Sequence, residues 1–196
     1  DPALYFAFDK PTRKTGNKIL GMNIGISNED TWADRSSILN NIVKYAKVMV
    51  EKGWKIVFVP VIPSDIDYTK EAVKLIGPKA EIFVDFSSID KILSLYKNFD
   101  FFVGLKLHSV ILAICSYTPS IMIEYRPKCL DFMMSMDMEK FNLRADKINV
   151  EKLLSLTEEI NTDSFSIQDL ITKKISHYKY LQNKYALKLT KDILYN

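Results

Sequence analysis

The groups best placed to do chemistry in this chain sit where an apolar run gives way to a helical one, in Phe101-Phe102-Val103-Gly104-Leu105-Lys106-Leu107-His108-Ser109. The run reads as a strand that ends near Gly104, with Ser109 opening a helix. The first N–H groups of a helix lack intrahelical partners and favour an anion. Lys106, just before them, adds a point charge. His108 can bind phosphate or serve as acid or base near neutral pH. The competing account is structural, with Ser109 as a cap and His108 bonded to a carbonyl. Residue chemistry by itself leaves both open.

Two further loops end strands with polar residues. One carries Asn23, Ser27 and Asn28; the other carries Glu124, Tyr125, Arg126 and Lys128. If the strand before Glu124 neighbours the one before Lys106, Lys128 becomes a second cation at one crevice. Otherwise it is a solvated surface lysine. Asp65 and Asp67 follow the second strand, where they either touch a ligand hydroxyl or simply form a turn. Glu29, Asp30 and Asp34 read as solvated surface, and His177 as structural. Two histidines without ligand spacing argue against a catalytic metal. No GxGxxG, Walker or GxSxG pattern is present, so dinucleotide, nucleoside triphosphate and hydrolase readings lose their usual support.

These loops need a scaffold, and the pattern around them supplies one. Short apolar runs alternate with amphipathic ones, which predicts βαβ units: an α/β fold with a Rossmann-like parallel sheet flanked by helices. Strands are expected over 18–26, 54–61, 81–86, 99–105 and 120–125. Helices are expected over 36–52, up to 76, from 89, over 109–116, 130–138 and 150–160, with a long C-terminal helix over 166–193. The apolar stripe of that last helix is Ile167, Leu170, Ile171, Ile175, Tyr178, Leu181 and Tyr185. Residues 18–160 form the expected Rossmann-like domain. Residues 161–196 form a C-terminal helical segment packed on it, and residues 1–17, which open Asp1-Pro2-Ala3 without an initiator Met, read as an entry segment in a piece of a longer protein.

Composition narrows the function classes. Of 196 residues, 47% are hydrophobic and 26% charged, which is ordinary for a folded domain and excludes disorder. A net charge of +3 with dispersed lysines argues against nucleic acid. No long uncharged apolar run is present, so no membrane span is expected. Cys115 and Cys129 fit no CxxC or Cys/His pattern and read as free thiols in a reducing compartment. Cys129, next to a site loop, is the one with a case for reactivity.

Several spaced motifs together resemble the polysaccharide pyruvyl transferases. They are Gly104-Leu-Lys-Leu-His-Ser-Val-Ile-Leu-Ala113, then Pro119, then Ile121-Met-Ile-Glu-Tyr125 and Lys128. The family signature runs roughly G-x-R-L-H-s-x-x-x-A, Pro, a strand, then Y-x-x-K. Asp1-Pro2-Ala3, Gly21-Met22-Asn23, and Phe58-Val59-Pro60 followed by Asp65 also fit. The resemblance covers about the first two-thirds of the chain. Lys106 stands where the family motif has Arg, and Asn23-Ile-Gly-Ile-Ser27 carries no Arg where some members have one.

The resemblance implies the C-terminal half of a GT-B-like fold. It implies transfer of a pyruvate ketal from phosphoenolpyruvate, a co-substrate and not a bound cofactor, to a sugar of a cell-surface polysaccharide. The saccharide acceptor is often lipid-linked. It assigns phosphoenolpyruvate to Lys106, Leu107, His108, Ser109 and Lys128, with His108 catalytic. Asn23, Ser27, Asp65, Glu124 and Tyr125 are further candidate ligand contacts. It also implies a cytoplasmic protein, with the inner face of the membrane as a peripheral location, and little turnover for this half alone. Two other readings stay open: half of a GT-B glycosyltransferase with Glu124 on a nucleotide ribose, and a non-catalytic Rossmann-like anion-binding domain.

Overall fold

A computed structural model describes residues 1–8, 16–25, 32–85 and 87–194, the last four by backbone alone. Six strands form one parallel sheet: β1 (Ile19–Asn23), β2 (Lys55–Phe58), β3 (Ala80–Ile82), β4 (Phe101–Gly104), β5 (Ser120–Glu124) and β6 (Asn142–Arg144). Their order is β3-β2-β1-β4-β5-β6, the doubly wound arrangement in which the chain reverses direction between β1 and β4. Helices connect them: α1 (Arg35–Glu51), α2 (Ile66–Ile76), α3 (Ile89–Tyr96), α4 (Leu107–Cys115) and α5 (Pro127–Ser135). A long α6 (Val150–Leu194) follows and kinks at Asp163, which has non-helical backbone angles.

The apolar runs become strands because helices cover both faces of the sheet. Every residue of β4 and β5 is buried. On one flank Tyr96 of α3 lies 4.8 Å, centroid to centroid, from Phe102 of β4. On the other, Trp54 meets Phe101 edge-on at 5.1 Å. Gly21 in β1 leaves room for Phe99 and Phe102. A Cβ there would lie 2.7 Å from the Phe102 ring and closer still to Phe99. Gly53 ends α1 with φ of 87°, the left-handed conformation that favours glycine.

The first half of α6 packs on α1, where Tyr45 and Thr157 share a buried hydrogen bond of 2.6 Å. Past the kink, Ile167, Ile171 and Ile175 are buried. There Tyr178 donates to the Ser135 carbonyl oxygen (2.9 Å) and Gln168 to that of Tyr117 (3.1 Å). Residues Pro2–Phe6 form a short 3-10 turn against α4 and α6, with Leu4 fully buried.

Four expectations need correction. The strand β6 is not anticipated, because three residues carry no periodicity; it forms by pairing Ile123 with Leu143. The helix α4 begins at Leu107 and not at Ser109, and α5 at Pro127 and not at Leu130. Proline suits a first helical position, where its missing N–H is no loss. Tyr185 does not join the buried stripe, being 63% exposed.

Gly21→Ala is expected to destabilise the protein by about 1–3 kcal/mol through overpacking. Urea denaturation would show this as a lower midpoint with an unchanged slope.

Candidate functional site

In open α/β sheets ligands bind beyond the C-terminal strand ends, where the strand order reverses. Here that place lies between the ends of β1 and β4, which pair as Asn23 with Gly104. Asn23 is 1% exposed. Its amide nitrogen donates to the Val59 carbonyl oxygen (2.9 Å), and its side-chain oxygen accepts from the Lys106 backbone N–H (3.1 Å). The Leu105 N–H donates to the Asn23 carbonyl oxygen (3.0 Å). One side chain thus ties the ends of β2, β1 and β4 together. Its orientation follows from its partners, since only the amide NH2 can donate to a carbonyl.

With α4 starting at Leu107, Lys106 becomes the residue that precedes the helix, and its side chain makes no capping hydrogen bond. Ser109, expected to open the helix, instead lies in its first turn, where its hydroxyl donates to the Lys106 carbonyl oxygen (2.6 Å) and is buried. Gly104 keeps this turn close to the sheet, since a Cβ there would lie 2.7 Å from Ser109 Oγ and 2.6 Å from Val110. His108 is exposed on the first turn, whereas Leu107 is buried in the core. Of the motif's side chains, then, Lys106 and His108 can meet a ligand, while Leu107 packs and Ser109 braces the turn.

The Lys106 side chain is largely buried, and its ammonium faces Asp65 Oδ1 at 3.8 Å. That distance is beyond a hydrogen bond, so the attraction is between charges. Asp65 is 2% exposed and lies between Pro63 and the start of α2. Burial raises its carboxyl above the ordinary carboxylate value; Lys106 and, more weakly, Arg35 offset part of that rise. Asp65 Oδ2 is buried with no hydrogen-bond partner among the described residues. Gly25, just beyond β1, packs directly on this carboxylate, which any Cβ would overlap. Sequence reasoning missed Gly25 and Arg35. A glycine two residues past an apolar strand is a signal of close backbone approach; an arginine at a helix start carries none.

β5 neighbours β4, so the loop after β5 does face the same edge of the sheet. Lys128 is exposed there, with Nζ 5.4 Å from the Tyr125 ring centroid. Tyr125 is half-buried. Glu124 is turned into the structure, 3% exposed, and accepts from Asn142 Nδ2 at 2.7 Å. It is therefore engaged by β6. Arg144, at the end of β6, stacks 4.5 Å over Trp32 and pairs with Asp146; no sequence pattern pointed to this cluster. Ser27 lies outside the described residues, as do Asn28, Glu29 and Asp30. Cys129 is buried, and burial raises its thiol above the ordinary value. Burial likewise pushes the Cys115 thiol up to about 12. Neither has the depressed value of a reactive cysteine.

The model of the polysaccharide pyruvyl transferase family matches residues 1–127. No curated protein matches the chain. Among solved structures, it resembles an O-GlcNAc transferase mutant from Thermobaculum terrenum (TM-score 0.62, 11% identity, covering 87% of this chain and 34% of that one). It also resembles a glycosyltransferase from Rickettsia africae (0.59, 15%, 93% and 49%). A third likeness is to the E. coli heptosyltransferase WaaC with ADP (0.55, 11%, 76% and 46%). These likenesses establish a GT-B-like fold. The chain spans between a third and a half of the length of those structures.

Two outcomes follow from the site's geometry. Asn23→Ala leaves the Lys106 N–H and the Val59 carbonyl unpaired, and is expected to cost about 1–3 kcal/mol in urea denaturation. For Asp65 the folded carboxyl lies above its unfolded value of 3.8, so the folded state binds more protons and stability falls as pH rises through that interval. Asp65→Asn, which does not titrate, is expected to gain stability relative to wild type as pH is raised from 3.8 toward neutrality. Parallel melts across that range would check it.

Proposed function

The chain belongs to the polysaccharide pyruvyl transferase family, and from that premise we propose that it forms the phosphoenolpyruvate-binding half of an enzyme that builds a pyruvate ketal on a saccharide. The observation that carries this reading is the convergence of the Lys106 ammonium, the exposed His108 and the uncapped start of α4 at the reversal point of the sheet. Phosphoenolpyruvate carries a carboxylate and a phosphate. A donor site for it calls for a cation and helix N–H groups, supplied in a partly water-excluded crevice.

The reaction adds one sugar hydroxyl to C2 of the enolpyruvyl group while C3 gains a proton. The C2–O bond to phosphate then breaks, and a second sugar hydroxyl closes the ketal at C2. One phosphate leaves, and the two hydroxyl protons end on C3 and on the leaving phosphate or solvent. Lys106 binds the donor's anionic end and offsets charge on the departing phosphate. His108 binds the phosphate and serves as general acid, to C3 or to the leaving group. Lys128, across from β4 on the next strand–helix junction, is a further cation for the carboxylate. Because lysine is a point charge, the grip at position 106 lacks the two-pronged geometry of arginine.

The saccharide acceptor belongs on the opposite wall of the cleft, which a preceding domain would supply. Turnover by this half alone is accordingly expected to be low. A cytoplasmic setting suits the donor, and a lipid-linked acceptor would bring the protein to the inner membrane face. Among the described residues no helix is long and apolar enough to cross a membrane.

Isothermal titration of phosphoenolpyruvate into the wild-type chain and into Lys106→Ala and His108→Ala tests the donor site. Binding by wild type, weakened at least about tenfold in each variant, is the expected result. Binding of a nucleoside diphosphate in place of phosphoenolpyruvate would instead favour a nucleotide-sugar donor.

A further inference from the structure

Asp65 sits at the start of α2, where an aspartate ordinarily caps the helix, yet its side chain makes no capping hydrogen bond. The backbone groups of Asp65 itself are satisfied without the carboxylate, whose charged form the Ile62 backbone also favours. Its N–H donates to the Ile62 carbonyl oxygen (3.1 Å), and its own carbonyl accepts from Thr69 Oγ1 (2.7 Å). The side chain instead turns inward, 2% exposed, with Oδ2 unpartnered against Gly25 and Oδ1 facing Lys106. The fold gains nothing from a carboxylate held this way, since a buried charge lacking a full set of hydrogen bonds is destabilising.

What the carboxylate does is hold a lysine. The Lys106 side chain is only 17% exposed, although a lysine beside a crevice would ordinarily extend its ammonium to water. Its backbone is pinned by Asn23 and its ammonium is drawn inward by Asp65. At 3.8 Å from Oδ1, Nζ is not tied to Asp65 by a short hydrogen bond and can still donate to a ligand. Among the described residues, Arg35 at the start of α1 is the other charged group that acts on the Asp65 carboxylate.

We propose that Asp65 is a positioning residue, whose buried carboxylate keeps the Lys106 ammonium inside the crevice between β1 and β4, and that Gly25 is required because only a residue without a side chain leaves room for that carboxylate. Asp65 does not itself touch the anion. This inference deepens the donor-site reading and rests on it for the identity of the ligand, but the pairing of Asp65 with Lys106 is testable without any ligand.

The test is a double-mutant cycle of Asp65→Asn and Lys106→Met, read first by thermal melting at neutral pH. Lys106→Met leaves the buried carboxylate without its cation, and the expected melting temperature falls by about 5 °C. Adding Asp65→Asn to that variant restores most of the loss, while Asp65→Asn alone melts no earlier than wild type. Effects that simply add, or a loss on Asp65→Asn alone, would assign Asp65 to the support of α2 and overturn the proposal.

The second readout is phosphoenolpyruvate titration, in which Asp65→Asn raises the dissociation constant about tenfold with the fold intact. Unchanged or tighter binding would overturn positioning, because it would mean that the carboxylate only opposes the anion. Strong coupling in melting, with no phosphoenolpyruvate binding by wild type, would retain the Asp65–Lys106 pair and remove the donor assignment instead.

Discussion

The site is organised by one buried amide. Asn23 stands at the end of the central strand, where the sheet reverses its order and the loops leaving β1 and β4 part. Parting loops leave backbone groups with nothing to bond. The Asn23 side chain fills that gap, donating to the β2 end at Val59 and accepting from Lys106 beyond β4. The amide is buried and fully directional, so it fixes where the Lys106 backbone sits and where α4 begins. The placement of the Lys106 backbone and of the helix start follows from that anchor.

The same crevice contains a charge that the fold does not need. Burial of Asp65 is unfavourable for a carboxylate, and its field is balanced by a lysine held at a distance too long for a hydrogen bond. Active-site groups commonly stand in such arrangements, where local stability is lost so that a group stays in a reactive position. The neighbouring aromatic packing compensates on a larger scale. Tyr96, Phe99, Phe101 and Phe102 are buried beneath the site, and the glycines at 21 and 104 let that packing close.

Membership of a pyruvyl transferase family and a GT-B-like fold are consistent with one another. Two positions in this chain depart from the family motif. Lysine replaces the arginine of the family motif, and no arginine ends β1. The buried Asp65 gives the substitution a physical context, because a lysine depends on a fixed counter-ion for its direction where an arginine could use its planar fork.

Much of this was legible in the sequence. Alternating apolar and amphipathic runs determine a parallel α/β sheet, because a strand covered on both faces has to be apolar throughout. The Gly-x-Lys-x-His spacing determines that a lysine and a histidine flank a helix start after a strand. Sequence could not decide which of those side chains turn outward. Leu107 and Ser109 were candidates alongside Lys106 and His108, and the helix starting two residues early sent the first pair inward. Glu124 was a candidate contact until β6, too short for any periodic signal, supplied Asn142 as its partner. The pairing of Asp65 with Lys106, with Gly25 packed on the carboxylate, joins residues 41 positions apart and exists only because β2, β1 and β4 lie side by side. Local patterns dictate which groups are present at strand ends; the contacts that aim them are long-range, and only the tertiary structure forms them.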